Sequence, residues 1–134
     1  MVIDTSALVA ILLDEPDRRQ FTQALANASV RVMSAATLVE AGIVIEARLG
    51  EAGGRELDLL LHRADVEVLP ADEAQAGLAR SAWRRFGKGS HPAGLNYGDC
   101  FSYALAVQRD EALLFKGDDF AATDVRAALT PPRG

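Results

Sequence analysis

The sequence predicts an α/β fold, a three-layer α/β/α sandwich around a central, mostly parallel sheet. Three observations carry this expectation. Short apolar runs at 1–4, 30–33, 66–69 and 112–115 have strand length and are bounded by polar or turn residues. Longer segments with helical apolar spacing separate them. Alternation of this kind needs crossover connections, which lay helices on both faces of parallel strands. The chain has 134 residues, which fits one domain. A chain of that size buries roughly two-thirds of the surface its unfolded form exposes. Residues 1–134 are therefore expected to form a single domain, with 130–134 as a frayed tail.

The elements follow in order. "MVID" reads as a short buried strand and 6–13 as a helix. "DEPDRRQFTQALANA" opens with an acid-rich turn and a proline suited to a first helical turn, and Phe21 and Leu25 mark its apolar face. "VRVM" is the second strand. "ATLVEAGIVIEARLG" is a helix ended by Gly50, and Gly53 and Gly54 break the chain before a further helix, "RELDLLLHRA". "VEVL" alternates and is the third strand. "DEAQAGLARSAWRRFG" is a helix stopped by Gly87, with Leu78, Ala82 and either Trp83 or Phe86 turned inward. "KGSHPAGLN" is a loop, "YGDCFSYALAVQRD" a helix and "ALLF" the last strand. "DDFAATDVRAAL" reads as a loop with a short helix.

Composition excludes several classes. With 49% apolar and 25% charged residues the chain has the balance of an ordinary soluble globular protein. A single cysteine, Cys100, rules out an internal disulfide and a zinc site built from several thiolates. That usage fits a reducing, cytoplasmic setting. The N-terminal apolar run is short, lacks a basic lead and carries Asp4, unlike a signal peptide. No apolar stretch approaches the roughly 18 residues that cross a bilayer. A net charge of −5 argues on its own against a nucleic-acid partner. Its distribution argues otherwise, because residues 74–98 hold Arg80, Arg84, Arg85, Lys88 and His91 and no acid.

The placement of acids within apolar segments is the informative feature. Asp4 is the sole charge in residues 1–13, Glu40 in 32–45 and Asp99 in 92–108. A buried carboxylate costs several kcal/mol unless it is paired, and these segments supply no Lys or Arg. Local capping is the competing explanation. Thr37-Leu-Val-Glu40 matches a capping box, Asn96 and Asp99 fit a helix start, and Asp4 precedes a helix. Each cap contributes only about 1 kcal/mol. In a parallel α/β sheet the ligand crevice lies beyond the carboxyl ends of the strands, where Asp4, Asp118 and Asp119 fall. Two unit charges about 4 Å apart repel by roughly 4 kcal/mol at an effective dielectric of 20. Converging acids therefore need a shared proton or a bound cation. An oxygen-only set suits Mg²⁺ or Mn²⁺, and such a site suits phosphate-ester hydrolysis.

"MVIDTSALVAILLDEPD", Glu40 within "ATLVEAGIV", "LNYGDCFSYALA" and "LLFKGDDF" together resemble the four signatures of PIN-domain ribonucleases, in order and across nearly the whole chain. The short form is similar to the VapC-type toxins of type II toxin–antitoxin systems. This resemblance implies a PIN-like fold and a Mg²⁺-dependent endoribonuclease, with Mn²⁺ able to substitute, that cuts RNA to leave a 3′-hydroxyl and a 5′-phosphate and so stops translation. It implies that Asp4 and Asp99 bind metal directly and that Glu40 and Asp119 act through water. Thr5 or Ser6 supplies the hydroxyl beside the first acid. Relatives commonly carry D-x-D-F after the last strand, whereas this chain reads Gly117-Asp118-Asp119-Phe120. Alignment on Asp-Phe selects Asp119, and Asp118 stands close enough to substitute. Arg84, Arg85, Lys88 and His91, with Arg80, are expected to position the RNA backbone, the competing reading being a solvated helix face. The implied partners are RNA, a cognate antitoxin and a second copy, with hetero-oligomers of toxin and antitoxin and no membrane.

Other residues read as structural. His62 is expected on an exposed helix face, Cys100 as a small core residue, and Trp83 and Tyr103 as packing side chains. A non-catalytic PIN-like partner in a repressor complex is the main alternative. A phosphotransfer fold using Asp4 is a third, but Val2-Ile3 lacks the acids a receiver carries before its aspartate.

Overall fold

The computed structural model describes residues 1–129, and the tail expected at 130–134 lies outside them. Four parallel strands, β1 (Val2–Ile3), β2 (Val32–Ser34), β3 (Glu67–Leu69) and β4 (Leu113–Leu114), pair in the order β3-β2-β1-β4. Val2 sits opposite both Val32 and Leu113, so the central strands are in register. Pleating then sends alternate residues to opposite faces. Val2, Val32 and Leu113 enter one apolar core, and Ile3, Met33 and Leu114 the other.

Helices α1 (Thr5–Leu12), α2 (Arg18–Asn27) and α3 (Ala35–Arg63) cover the second face. Helices α4 (Glu73–Phe86) and α5 (Tyr97–Arg109) cover the first. This is the expected three-layer sandwich. The strand order reverses between β1 and β4, which makes the carboxyl ends of those strands the ligand crevice.

Three local expectations are corrected. The helix of 36–50 does not stop at Gly50: helical hydrogen bonding resumes beyond it, and Gly50, at φ 70°, marks a sharp bend within α3. A left-handed φ of this kind favours glycine. Gly53 and Gly54 lie inside the second half of α3 rather than breaking the chain. A Cβ on Gly53 would meet the Leu49 Cβ at 2.5 Å, so the missing side chain lets the two halves pack closely. On α4 Ala82 and Phe86 are inward and Leu78 packs half-buried against the same core, as expected, which settles the choice of ring on Phe86; Gln75 and Ala79 are buried as well, and Trp83 is 52% exposed. Residues 118–129 form turns rather than a short helix, and Ala127 makes a parallel bridge to Leu113 at the sheet edge.

Arg31 has a structural role that its sequence context did not suggest. Its guanidinium donates to the carbonyls of Leu25 and Ala28 at 2.7 and 2.5 Å and to that of Ala64. It thereby satisfies carbonyls at the carboxyl ends of α2 and α3, where cations are favoured.

Candidate active site

Asp4 leaves β1 and caps α1 in one step. Its Oδ2 accepts from the Ser6 backbone N–H at 3.1 Å and from the Ser6 hydroxyl at 2.7 Å. The Ser6 hydroxyl in turn accepts from the Lys116 N–H at 2.9 Å, which ties the end of β1 to the segment after β4. Asp4 Oδ1 accepts from the Ser102 hydroxyl of α5 at 2.6 Å. The carboxylate is thus fixed on both oxygens, and the residue is 3% exposed.

Glu40 reaches the same place from α3. The Thr5 hydroxyl donates to its Oε1 at 2.6 Å. Its Oε2 would lie 1.7 Å from a Cβ built on Gly98, so the carboxylate rests on the backbone beside Asp99. Thr37 is not the cap that the T-x-x-E pattern suggested. Ser34 caps α3 by accepting from the Ala36 N–H, and Thr37 lies one turn in, its hydroxyl 3.4 Å from that of Ser102.

Asp99 sits in the first turn of α5 and completes a true capping box. Its N–H donates to Asn96 Oδ1 at 2.9 Å, and its Oδ2 accepts from the Asn96 N–H at 3.1 Å. Capping and site-building are therefore one arrangement. This holds at α1 and α5, where the capping carboxylates are those of Asp4 and Asp99, whereas α3 is capped by Ser34.

The electrostatics mark the cluster. Burial pushes the Asp99 carboxyl up to about 7; the Asn96 N–H opposes that rise, while the charges of Asp4 and Asp119 add to it. Asp119, exposed in the turn after β4, stands near enough to share a proton with Asp99. The charge of Asp119 is among those that bear on Asp99, and the neighbouring Asp118 is exposed on the same turn. Burial also raises Glu40; the Thr5 hydroxyl offsets part of this, and the Asp4 charge adds to it. Among the described residues no ion pair involves any of these four acids. Lys116, the nearest cation in sequence to Asp119, is held by Glu15 and Asp17 at 3.3 and 3.1 Å.

Uncompensated, converging carboxylates fit a hard divalent cation. Among the described residues no group of three or more His, Cys, Asp or Glu side chains is arranged to hold a metal ion; the acids meet in pairs, Asp99 feeling Asp4 and Asp119, and Glu40 feeling Asp4. Cys100 offers no soft ligand. It is buried in the core, and burial together with the Asp99 charge pushes its thiol up to about 11.

The basic residues do not act as one block. Arg84 and Lys88 are exposed and make no ion pair among the described residues. Arg85 is engaged: it donates to the Tyr103 hydroxyl at 3.1 Å, pairs with Asp124 at 3.2 Å and lies over the Phe86 ring at 4.7 Å. His91 is engaged too. Its Nδ1 accepts from the Ala93 N–H at 3.0 Å, and its ring meets Phe86 edge-on. Tyr103 packs in the core as expected.

Sequence reasoning missed Ser102, which holds Asp4, and the buried Ser34–Gln75 hydrogen bond at 2.5 Å. The readable signal for Ser102 is a hydroxyl three residues after Asp99 in an otherwise apolar helix, which places it near the same face.

The PIN domain family matches residues 1–126. The chain is 62% identical over 127 residues to a protein named Ribonuclease VapC of Mycolicibacterium smegmatis, covering 95% of this chain and 98% of that one. It is 56% identical over 131 residues to Ribonuclease VapC30 of Mycobacterium tuberculosis, covering 98% and 100%. Among solved structures, VapC20 of Mycobacterium tuberculosis, a sarcin-ricin loop cleaving toxin, superimposes with a TM-score of 0.79 at 16% identity, covering 97% of this chain and 98% of that one. A toxin–antitoxin complex from Klebsiella pneumoniae gives 0.69 at 17% identity, with 92% of each chain covered. The ordered motifs, the parallel sheet with its acids at the switch point and these matches agree, and the chain belongs to the PIN-domain family.

Proposed function

We propose that this chain is a metal-dependent endoribonuclease, the toxin of a toxin–antitoxin pair, that hydrolyses RNA phosphodiesters and thereby stops growth. One observation carries the reading most strongly: Asp4, Glu40, Asp99 and Asp119 gather at one end of the sheet and, among the described residues, none of them makes an ion pair. The names of the closely identical relatives point the same way. Residues 1–134 act as one nuclease domain.

Mg²⁺, with Mn²⁺ as a substitute, would supply charge neutralisation at the scissile phosphate and a more acidic water. Asp4 and Asp99 would hold it directly, and Glu40 and Asp119 through water. Asp118 stands in reserve on the same turn. Ser6 and Ser102 keep Asp4 from turning, Thr5 orients Glu40, and the Asn96 N–H fixes one oxygen of Asp99. Arg84 and Lys88 are free to meet the RNA backbone, contacts that position a strand without reading it. Arg85 and His91 act there only by shaping the neighbouring loop.

The partners under this reading are RNA, a cognate antitoxin and a second copy of the chain, in the cytoplasm. No helix among the described residues is long and apolar enough to cross a membrane. Val39 and Ile43 of α3 are 62% and 66% exposed, an apolar surface suited to a protein partner. Sedimentation at micromolar concentration should give the dimer, and a monomer there would remove the second copy from this account.

The activity is tested by incubating total RNA with the purified protein and Mg²⁺. Cleavage should appear, stop with chelator, and be lost in a folded Asp4→Asn variant, whose expression no longer arrests growth. A folded Asp4→Asn protein that cuts at the parent rate would overturn the assignment. Cleavage by the parent that the folded Asp4→Asn variant lacks would also exclude the non-catalytic alternative.

A further inference from the structure

The acid-rich turn between α1 and α2 meets the segment that follows β4. Lys116 Nζ lies 3.3 Å from Glu15 Oε2 and 3.1 Å from Asp17 Oδ1. Asp17 stands at the N-cap of α2, where a carboxylate ordinarily accepts from the first N–H groups of its own helix. It makes no such bond and turns to Lys116 instead. The three side chains are each about one-third exposed. Ion pairs this open to water contribute little to stability, and two acids that share one cation also repel each other. Stability alone is therefore a poor reason to divert a helix cap into this contact.

Lys116 is placed to act on the site. Its backbone N–H donates to Ser6 Oγ at 2.9 Å, and the Ser6 hydroxyl donates to Asp4 Oδ2 at 2.7 Å. The chain then turns at Gly117, whose φ of 101° favours glycine, and reaches Asp118 and Asp119. Beyond them Phe120 is buried, its ring centroid 5.2 Å from that of Phe115. The exposed turn that carries Asp119 is thus pinned on one side by an apolar ring and on the other by the Lys116 ammonium. Nothing packs at Gly117 between the two pins.

We propose that Lys116 is a positioning residue: held by Glu15 and Asp17, it fixes the turn that carries Asp119 against the end of β1 and so sets Asp119 beside Asp99. The inference rests on the nuclease reading above and deepens it, giving the acid-rich turn a part in the reaction. An ammonium drawn to Glu15 and Asp17 is also kept from the carboxylates of the site, where it would compete with a cation.

Lys116→Met removes the ammonium and keeps an apolar stem. Full-length parent and variant are compared by thermal melting, by Mn²⁺ binding without RNA, followed through the paramagnetic resonance signal of the free ion, and by cleavage kinetics on one RNA in Mg²⁺. The melt should move little. Mn²⁺ should bind about tenfold more weakly, a usual loss when an outer partner of a metal site is removed. Likewise kcat should fall about tenfold with KM unchanged, because a displaced group costs the chemical step rather than the binding of the strand. Lys116→Arg should restore both. Glu15→Gln with Asp17→Asn, which leaves Lys116 in place but unheld, should reproduce both losses. Asp119→Asn combined with Lys116→Met should lower kcat no further than Asp119→Asn alone.

Parent values of kcat and Mn²⁺ affinity in Lys116→Met would overturn the proposal, as would losses that add to those of Asp119→Asn. A rise in KM alone would make Lys116 a phosphate contact and would equally sink it. Should Lys116→Met not fold, the Glu15→Gln, Asp17→Asn protein decides by the same two readouts. Each of these outcomes leaves the nuclease reading intact, whereas a parent protein that neither binds Mn²⁺ nor cuts RNA would overturn both.

Discussion

Asp99→Asn is expected to lower RNA cleavage by about a thousandfold and, in the same protein, to flatten the pH dependence of stability. Under the proposed function Asp99 holds the metal directly, and loss of such a carboxylate removes several kcal/mol of charge stabilisation; each 1.36 kcal/mol is tenfold in rate. The stability effect has a definite sign. The Asp99 carboxyl is raised from 3.8 to about 7 in the fold, chiefly by burial. The native state therefore holds a proton that the unfolded chain has released between those values. Its contribution is fully present below about pH 4 and is lost as the pH rises through about 7. Asp124 and Glu111 shift downward, through their bonds to Tyr103 and the N-terminus, and act below that window. Thermal melts of the metal-free parent should thus fall between pH 5 and pH 8 by more than those of the variant. Added Mn²⁺ should stabilise the parent more at pH 8 than at pH 5, because the ion competes with a proton, and should leave the variant nearly unmoved. Equal Mn²⁺ shifts in both proteins would remove Asp99 from the metal site.

Gly98→Ala is expected to cost about a hundredfold in cleavage without touching an acid. The new Cβ would stand 1.7 Å from Glu40 Oε2, a separation no pair of atoms tolerates. Glu40 would have to swing off the Thr5 hydroxyl that holds it at 2.6 Å. Displacement of about 1 Å at a positioned group is enough for a hundredfold loss. The crowded atoms are the end of a flexible side chain, so that swing relieves the clash at little cost in stability. Glu40→Ala in the same chain should lower cleavage no further than Glu40→Ala alone, since the acid that Gly98→Ala displaces is then already gone. Chemical denaturation and initial cleavage rates on the two single variants and the double variant separate the effects. Parent-level cleavage by Gly98→Ala would show that Glu40 is not required where it stands.

Much of this was legible along the chain because it is periodic or isolated. Strand-length apolar runs and the helices between them set the layers. Asp4, Glu40 and Asp99 stood out because each is alone in an apolar segment. The helix bend was not legible, because Gly50, Gly53 and Gly54 read equally as chain breaks and as permission for close approach. Only the packing of Gly53 against Ile45 and Leu49 distinguishes these. The outward turn of Trp83 was hidden for a related reason. Trp83 and Phe86 are both three or four residues from apolar neighbours on α4, and the position of α5 decides which ring is buried.

The sequence by itself determined the α/β class, the three lone acids and the hydroxyls that follow Asp4, because hydrophobic period and charge isolation are properties of the chain. The tertiary structure alone decided that capping and the acidic site coincide. It also set Thr5 to hold Glu40, Ser102 to hold Asp4 and Gly98 to seat a carboxylate, and it brought Asp119 to bear on Asp99. The physical reason is that these are contacts between residues tens of positions apart. Side-chain hydrogen bonds act over about 3 Å, and only the closed sheet, with β4 returning beside β1, brings the partners within that reach.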